Sequence, residues 1–327
     1  GMHHTKPDTF PRLGDLLGFI TPEQAVDVVE QIVLIQRDYG NRVDRKQARM
    51  KYLIHNWGVS RFRTELEARV GYALQPPAPV PAMENNLHLG WHPQGDGNWF
   101  LGVGVENGRV QDTAERQLKR GLRAVVDQFR PGVRLTANHD ILLTDVAPAD
   151  REQIDALLRQ FGIRQSQEIS LIERYAMACP AMPTCGLALA ESERALPTII
   201  DALEEEVAAL GLENERITIR MTGCPNGCAR PYVADIGFVG RSKDQYTVFL
   251  GGRNDGTRLN QVYADLVAGG DLVATIRPLL FYFKAARRPG ERFGDFCSRV
   301  GMHTLAKIAD AQYQQRSEND DLSLIHI

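Results

Sequence analysis

The sequence predicts an α+β protein of more than one unit, and three observations point there. Four of the five cysteines sit in two turns rich in proline and glycine, Cys179 with Cys185 and Cys224 with Cys228. Segments with strand-like alternation and segments with helical spacing follow one another along most of the chain. A stiff run, Gln75-Pro-Pro-Ala-Pro-Val-Pro-Ala82, separates a helical beginning from a mixed remainder and marks a domain boundary. With 327 residues, 43% of them hydrophobic, the chain has material for about two or three cored domains.

Residues 1–20 read as loop, with His3-His4 and Lys6 among them. Thr21, Pro22 and Gln24 then form a helix start with the pattern of a capping box, and apolar residues at helical spacing carry the helix to Tyr39 before Gly40. Arg42, Arg45, Lys46, Arg49 and Lys51 open a second helical region whose apolar side is Tyr52, Leu53, Trp57 and Phe62. Beyond the proline run, strands are expected at 87–92 and 99–106, a helix at 113–129, strands at 133–137 and 141–146, and a helix at 149–161. That order, ββαββα, is close to half of a ferredoxin-like arrangement. Arg134, Asn138 and His139 fall between its last two strands, where polar side chains can face a ligand. From residue 165 the pattern gives a short helix at 186–194, a longer one at 197–210 ended by Gly211, and strands at 217–221, 232–239 and 246–250. A helical stretch is expected from Gln261, and Lys284, Arg287, Arg288 and Arg292 form a basic patch near the end.

The net charge of −3 and pI near 6.3 give no general reason to expect nucleic acid or an anionic membrane as partner. No apolar run approaches the roughly 20 residues of a membrane helix, and no secretory signal is visible. An odd number of cysteines speaks against a disulfide framework, so a reducing, cytoplasmic setting is expected. The chain starts at Gly1, which suggests a fragment.

Thiolates select zinc, copper(I) or iron–sulfur clusters. Structural zinc favours pairs two to four residues apart, often completed by His. Here the pairs are C-x5-C and C-x3-C with no His inside either, a spacing that suits a wider cubane. An iron–sulfur cluster is therefore the first expectation, with zinc or free cysteines as the alternatives. Met177, Met182 and the prolines at 180, 183, 225 and 231 are expected to screen it from water. Cys297 reads as a buried structural thiol.

Tyr175-Ala-Met-Ala-Cys179-Pro-Ala-Met-Pro-Thr-Cys185, followed by Thr222-Gly-Cys224-Pro-Asn-Gly-Cys228-Ala-Arg, resembles the signature of the sulfite and nitrite reductase hemoprotein family. Gln36-Arg-Asp-Tyr-Gly-Asn-Arg42, Lys51-Tyr-Leu-Ile54, Glu106-Asn-Gly-Arg109, Leu135-Thr-Ala-Asn138 and Phe293-Gly-Asp-Phe296 match it in character. The resemblance runs from Gly1 to about Ala311 and is nearest to the ferredoxin-dependent assimilatory sulfite reductases, in their later half. It implies a [4Fe–4S] cluster on Cys179, Cys185, Cys224 and Cys228, and siroheme whose iron shares the Cys228 sulfur. Arg134, Asn138 and Asn226 are then expected to bind cofactor, and Lys6 to act as a catalytic donor. Asp8 stands where the family pattern has a second lysine, and His139 where it usually has glutamine.

The implied domains are 1–74, the end of a first sulfite-reductase-type α/β domain; 83–164, a ferredoxin-like half domain; and 165–316, the siroheme and [4Fe–4S] domain. Residues 317–327 form an unstructured or artefactual tail. The implied reaction is six-electron reduction of sulfite to sulfide, with ferredoxin or a flavoprotein reductase as donor docking on the basic stretches near Arg45 or Arg288. The implied first half, carrying the substrate arginines, is missing from this chain, so the fragment alone is expected to hold cofactor poorly. The alternatives are nitrite reduction to ammonia, a zinc-stabilised binding protein, and an iron–sulfur carrier without heme.

Overall fold

The computed structural model describes residues 9–78 and 87–311, so Lys6, Asp8, His3, His4 and the tail from residue 317 lie outside the described residues. The chain divides into two compact units, one up to Glu84 and one from Asn85.

The first unit is helical. A 3-10 turn at Pro22–Gln24 leads into α1 (Ala25–Tyr39). The start is fixed as the sequence suggests, the Thr21 backbone N–H donating to Gln24 Oε1 at 2.9 Å. The basic run does not open a helix: Arg45–Gln47 is a 3-10 turn, and α2 (Met50–Trp57) begins after it. Gly58, at φ 77°, then breaks the path before α3 (Val59–Val70), a conformation other residues adopt only with strain. Val28, Ile35, Leu53, Phe62, Leu66 and Leu74 form the core. The apolar face of α1 is wider than its buried one, since Val26, Val29 and Val33 stay exposed.

The second unit contains two sheets. In the first, β1 (Gly90–Pro93), β2 (Trp99–Val103), β3 (Gly132–Leu135) and β4 (Ile141–Val146) pair antiparallel in the order β1-β2-β4-β3. Helices α4 (Leu118–Phe129) and α5 (Arg151–Gln160) share its core through Leu118, Leu122, Val125, Ile154 and Leu158. The expected helix from 113 starts only at Leu118. Residues 112–117 fold back on themselves, with Thr113 N–H on Arg116 O, and the Asp112 carboxylate accepts the Arg120 N–H.

After a single helical turn, α6 (Leu171–Arg174), the second sheet is built from β5 (Ala176–Ala178), β6 (Ile219–Thr222), β7 (Ile236–Ser242), β8 (Gln245–Leu250) and β9 (Gln261–Ala268). They lie in chain order; β5, β6 and β7 are parallel, and β8 and β9 return antiparallel. Helix α7 (Leu196–Ala209) crosses between β5 and β6, and α8 (Leu272–Ala286) and α9 (Phe293–Val300) follow the sheet. Leu203, Val207, Ile276, Leu280, Phe283 and Phe296 join Ile219, Met221 and Phe238 in one core, with Cys297 fully buried among them. Among the described residues, no helix is long and apolar enough to cross a membrane.

Two expected helices are not helices. Residues 186–194 run through turns, because Leu189 and Ala190 give their N–H groups to Gly223 O and Glu193 gives its own to Cys179 O. Gln261–Ala268 is the edge strand β9. Its pairing with β8 is interrupted by bulges, and Leu266 has φ 55°, so its burial follows no clean period of two. The basic patch is also less free than the sequence suggests. Lys284 Nζ donates to Leu210 O, Arg287 pairs with Glu215, and Glu291 accepts the Arg288 N–H.

Asp140 closes the β3–β4 loop by accepting the Val105 N–H at 3.1 Å, and burial pushes its carboxyl up to about 7. The folded state therefore binds a proton that the unfolded chain, with an ordinary carboxyl near 3.8, releases. The stability of this sheet is expected to be highest below that ordinary value and to fall as pH rises to about 7, by an amount on the order of a few kcal/mol. Hydrogen exchange of the β2 and β4 amides should slow between pH 7 and pH 5, after correction for intrinsic rates. Asp140→Asn, which keeps the acceptor, should flatten that dependence.

Candidate metal centre

Strand pairing brings the cysteines together. β5 and β6 are parallel neighbours with Ala178 opposite Met221, so Cys179 leaves one strand end beside the point where Gly223 and Cys224 leave the other. The Cys179 N–H continues the ladder to Met221 O at 3.1 Å. Carboxyl ends of adjacent parallel strands are where α/β sheets build sites. Gly223 ties the two turns: its N–H points at Cys179 Sγ at 3.4 Å, and its carbonyl accepts the N–H groups of Leu189 and Ala190 at 2.7 and 2.9 Å. A Cβ at Gly223 would lie 2.5 Å from Ala190 O and 2.6 Å from Ala181 Cβ. The second turn is held further on, where Tyr232 Oη donates to Pro225 O at 2.8 Å.

Cys179 and Cys224 are buried, Cys185 is half-buried and Cys228 is exposed; all are free thiols. Met177 is buried beside Cys179, but Met182 is 36% exposed and does not screen the turn as expected. Burial raises the Cys224 thiol, and Cys179 and Cys185 raise it further, against hydrogen bonds from the backbone and side chain of Asn226. Cys228 reaches the surface, yet enough protein crowds its sulfur that burial, then Cys179, Cys224 and Cys185, raise it too. Four thiols that oppose one another's ionisation are stabilised as thiolates by metal cations. Among the described residues, no three Cys, His, Asp or Glu side chains close on a single-ion site; the four thiols interact as a wider set. The donor set and the close-packed cradle at Gly223 fit a polynuclear iron–sulfur cluster.

Of the other expected residues, Asn226 lies in the cage, against Cys224. Asn138 reaches the cysteine turn through Arg230, whose Nη2 donates to Ala137 O at 3.0 Å and to Asn138 Oδ1 at 3.3 Å. Arg134 stands exposed on β3, its charge acting on Asp145, and no contact among the described residues ties it to the cysteines. His139 is half-buried, its imidazole pushed down by burial and by Arg220 and Arg230. Sequence reasoning gave no role to Arg220 or Arg230. The strand Ile217-Thr-Ile-Arg-Met-Thr222 alternates apolar and polar residues, so Arg220 reads as a solvent-facing position and carried no signal of its role. Glu106-Asn-Gly-Arg109 also acts on this region. Arg109 pairs with Glu193 and Asn107 Nδ2 donates to Glu193 O at 3.0 Å, while Glu193 N–H holds Cys179 O.

Two cysteine turns at adjacent strand ends, closed over by a small antiparallel unit, define the class of an iron–sulfur redox protein. Residues 1–74 and 173–317 match the nitrite and sulphite reductase 4Fe-4S domain, residues 92–161 match the nitrite/sulfite reductase ferredoxin-like half domain, and the chain belongs to that family. It is 46% identical over 317 residues to the sulfite reductase [ferredoxin] of Synechococcus elongatus, covering 97% of this chain and 51% of that one. It is 47% identical over 304 residues to the sulfite reductase [NADPH] hemoprotein beta-component of Methylobacterium nodulans, covering 92% of this chain and 50% of that one. The solved NirA protein of Mycobacterium tuberculosis superposes with a TM-score of 0.75 at 28% identity, covering 89% of this chain and 55% of that one. The chain thus spans about half the length of the curated relatives it matches. The family implies a [4Fe–4S] cluster together with siroheme. Siroheme is a polycarboxylate, and the exposed Cys228 with Arg230 and Asn138 beside it supplies a sulfur and polar donors of the kind it needs.

Gly223→Ala is expected to lower iron and acid-labile sulfide per chain severalfold after anaerobic reconstitution, although it removes no ligand. Gly186→Ala, where an added Cβ meets nothing within 4 Å, should leave both unchanged. Equal loading of the two variants would show that the close approach at Gly223 does not hold the cage.

Proposed function

We propose that this chain is the cofactor-carrying part of an assimilatory sulfite reductase that reduces sulfite to sulfide with six electrons. The observation that carries the reading is the four-thiol set at the ends of β5 and β6, in a chain whose curated relatives are named sulfite reductases. Cys179, Cys185, Cys224 and Cys228 would hold the cluster, and Cys228 would also serve the siroheme. Cluster and siroheme, when bound, would supply the one-electron chemistry.

The chain's own residues set the conditions. The Gly223 N–H points at the Cys179 sulfur, and the donors of Asn226 oppose the burial that raises the Cys224 thiol. Buried Met177 and Ala181 exclude water from the inner side of the turns. Arg230 holds the 136–140 loop through Ala137 O and Asn138 Oδ1, and Asn138 and Arg134 would offer polar contacts to the siroheme carboxylates. Sulfite is an oxyanion that gives up its oxygens as water, so it needs a cationic proton donor, a role assigned to Lys6. The natural electron donor is an acidic ferredoxin, with a flavoprotein reductase the other option, since relatives of both kinds are similar to this chain. Thiols that must stay free for iron suit the reducing cytoplasm.

The test is an anaerobic UV–visible and EPR spectrum of the chain reconstituted with iron, sulfide and siroheme, beside turnover of the full-length enzyme. Coupled heme and cluster signals that vanish in Cys228→Ser, with sulfite turnover exceeding nitrite turnover at least about tenfold in kcat/KM, are expected. Nitrite turnover to ammonia without sulfite turnover would move the assignment to nitrite reductase. A cluster that never couples to heme in the full-length enzyme, or one zinc without labile sulfide, would overturn the enzyme reading.

A further inference from the structure

Arg220 lies within β6, every residue of which is buried, and is itself 2% exposed. A guanidinium in such a place is destabilising unless an anion answers its charge. Its hydrogen bonds all go to neutral groups. Nη2 donates to Asn254 Oδ1 at 2.8 Å, and Nη1 donates to Ala229 O and Met177 Sδ, each at 3.3 Å. Its Nε has no hydrogen-bond partner. The acid whose charge acts on it, Asp235, already accepts from Thr218 N–H, Thr218 Oγ1 and Gly294 N–H. The other charged or titratable groups around it are cationic or basic: Arg230 acts on it directly, and His139, whose Nδ1 is buried without a partner, feels both arginines. The described residues thus gather positive charge here, and none of their carboxylates hydrogen-bonds the Arg220 guanidinium.

Two of the three hydrogen-bond partners of Arg220 adjoin the cysteine cage, and the third, Asn254, anchors the far side of the guanidinium. Met177 stands two residues before Cys179, and Ala229 directly follows Cys228. We infer that Arg220 is the internal counter-cation of the cluster, a positioning residue that raises its reduction potential. The inference rests on the cysteine-cage reading above. An electron added to a thiolate-ligated cluster increases its negative charge, and a fixed cation in a low-dielectric interior stabilises that reduced state. The same guanidinium is held by the Ala229 carbonyl on one side of the cage and the Met177 thioether on the other, so the charge is placed with little side-chain freedom.

The experiment is an EPR-monitored redox titration of the chain reconstituted anaerobically with iron and sulfide, comparing the parent with Arg220→Met, Arg220→Gln and Arg220→Lys. At the parent's midpoint, the reduced-to-oxidised ratio should fall about tenfold in the neutral variants, about 59 mV for one electron. Arg220→Lys should stay within about threefold of the parent, because the charge remains. Unchanged potentials in a neutral variant with full iron and sulfide would falsify the inference. Loss of the cluster from both neutral variants, with Arg220→Lys loaded at the parent's potential, supports it; loss from all three overturns it in favour of packing alone. No cluster in the parent itself would instead overturn the cage reading.

Discussion

The parallel pairing of β5 with β6 is the constraint on which the centre depends. Neither cysteine turn is a metal site alone, since each supplies two sulfurs. The Met221 carbonyl accepts the Cys179 N–H, and the next peptide unit points its N–H, that of Gly223, at the Cys179 sulfur. One strand end therefore acts as template for the other. The turns of 186–194 close over this junction by hydrogen-bonding to Gly223, which is why that segment does not form the helix its composition suggests.

Around the junction the molecule buries polar groups in pairs of opposite logic. Asp235 has no cation bonded to it but three donors aimed at it, and these tie β6, the start of β7 and the first turn of α9 together. Arg220 has the converse surroundings, neutral acceptors and a neighbouring cation. A buried carboxylate satisfied by backbone and hydroxyl donors is a structural fastening. A buried guanidinium left partly unsatisfied is a charge held in readiness for something the polypeptide does not itself provide.

Much of this was legible in the sequence, and the rest failed for identifiable reasons. The ββαββα order, the Thr21–Gln24 helix start and the helix ended by Gly211 rest on local rules of periodicity and capping, and the structure shows the same local interactions. Cysteine spacing indicated a cage because prolines and glycines leave a turn few other shapes. What failed is tertiary. β9 is an edge strand with bulges, so partner geometry and not its own alternation decides its state. The basic run near the end reads as a patch only until Glu215, Glu291 and the Leu210 carbonyl take up its donors. Arg220 occupies a polar position of an alternating strand and looks solvent-facing in sequence; its meaning required knowing that both faces of β6 are covered.

The order of events in making this protein follows from where the thiols sit. A zinc knuckle gathers its ligands within one short loop and can load metal while the rest of the chain is still a coil. Here α7 and its crossover lie between the two pairs, so the sulfurs meet only after β5 has found β6 across a long stretch of sequence. Cofactor insertion is thereby made a late step that inspects the finished sheet. Until it occurs, the chain carries free thiols at a strand junction, one of them open to solvent.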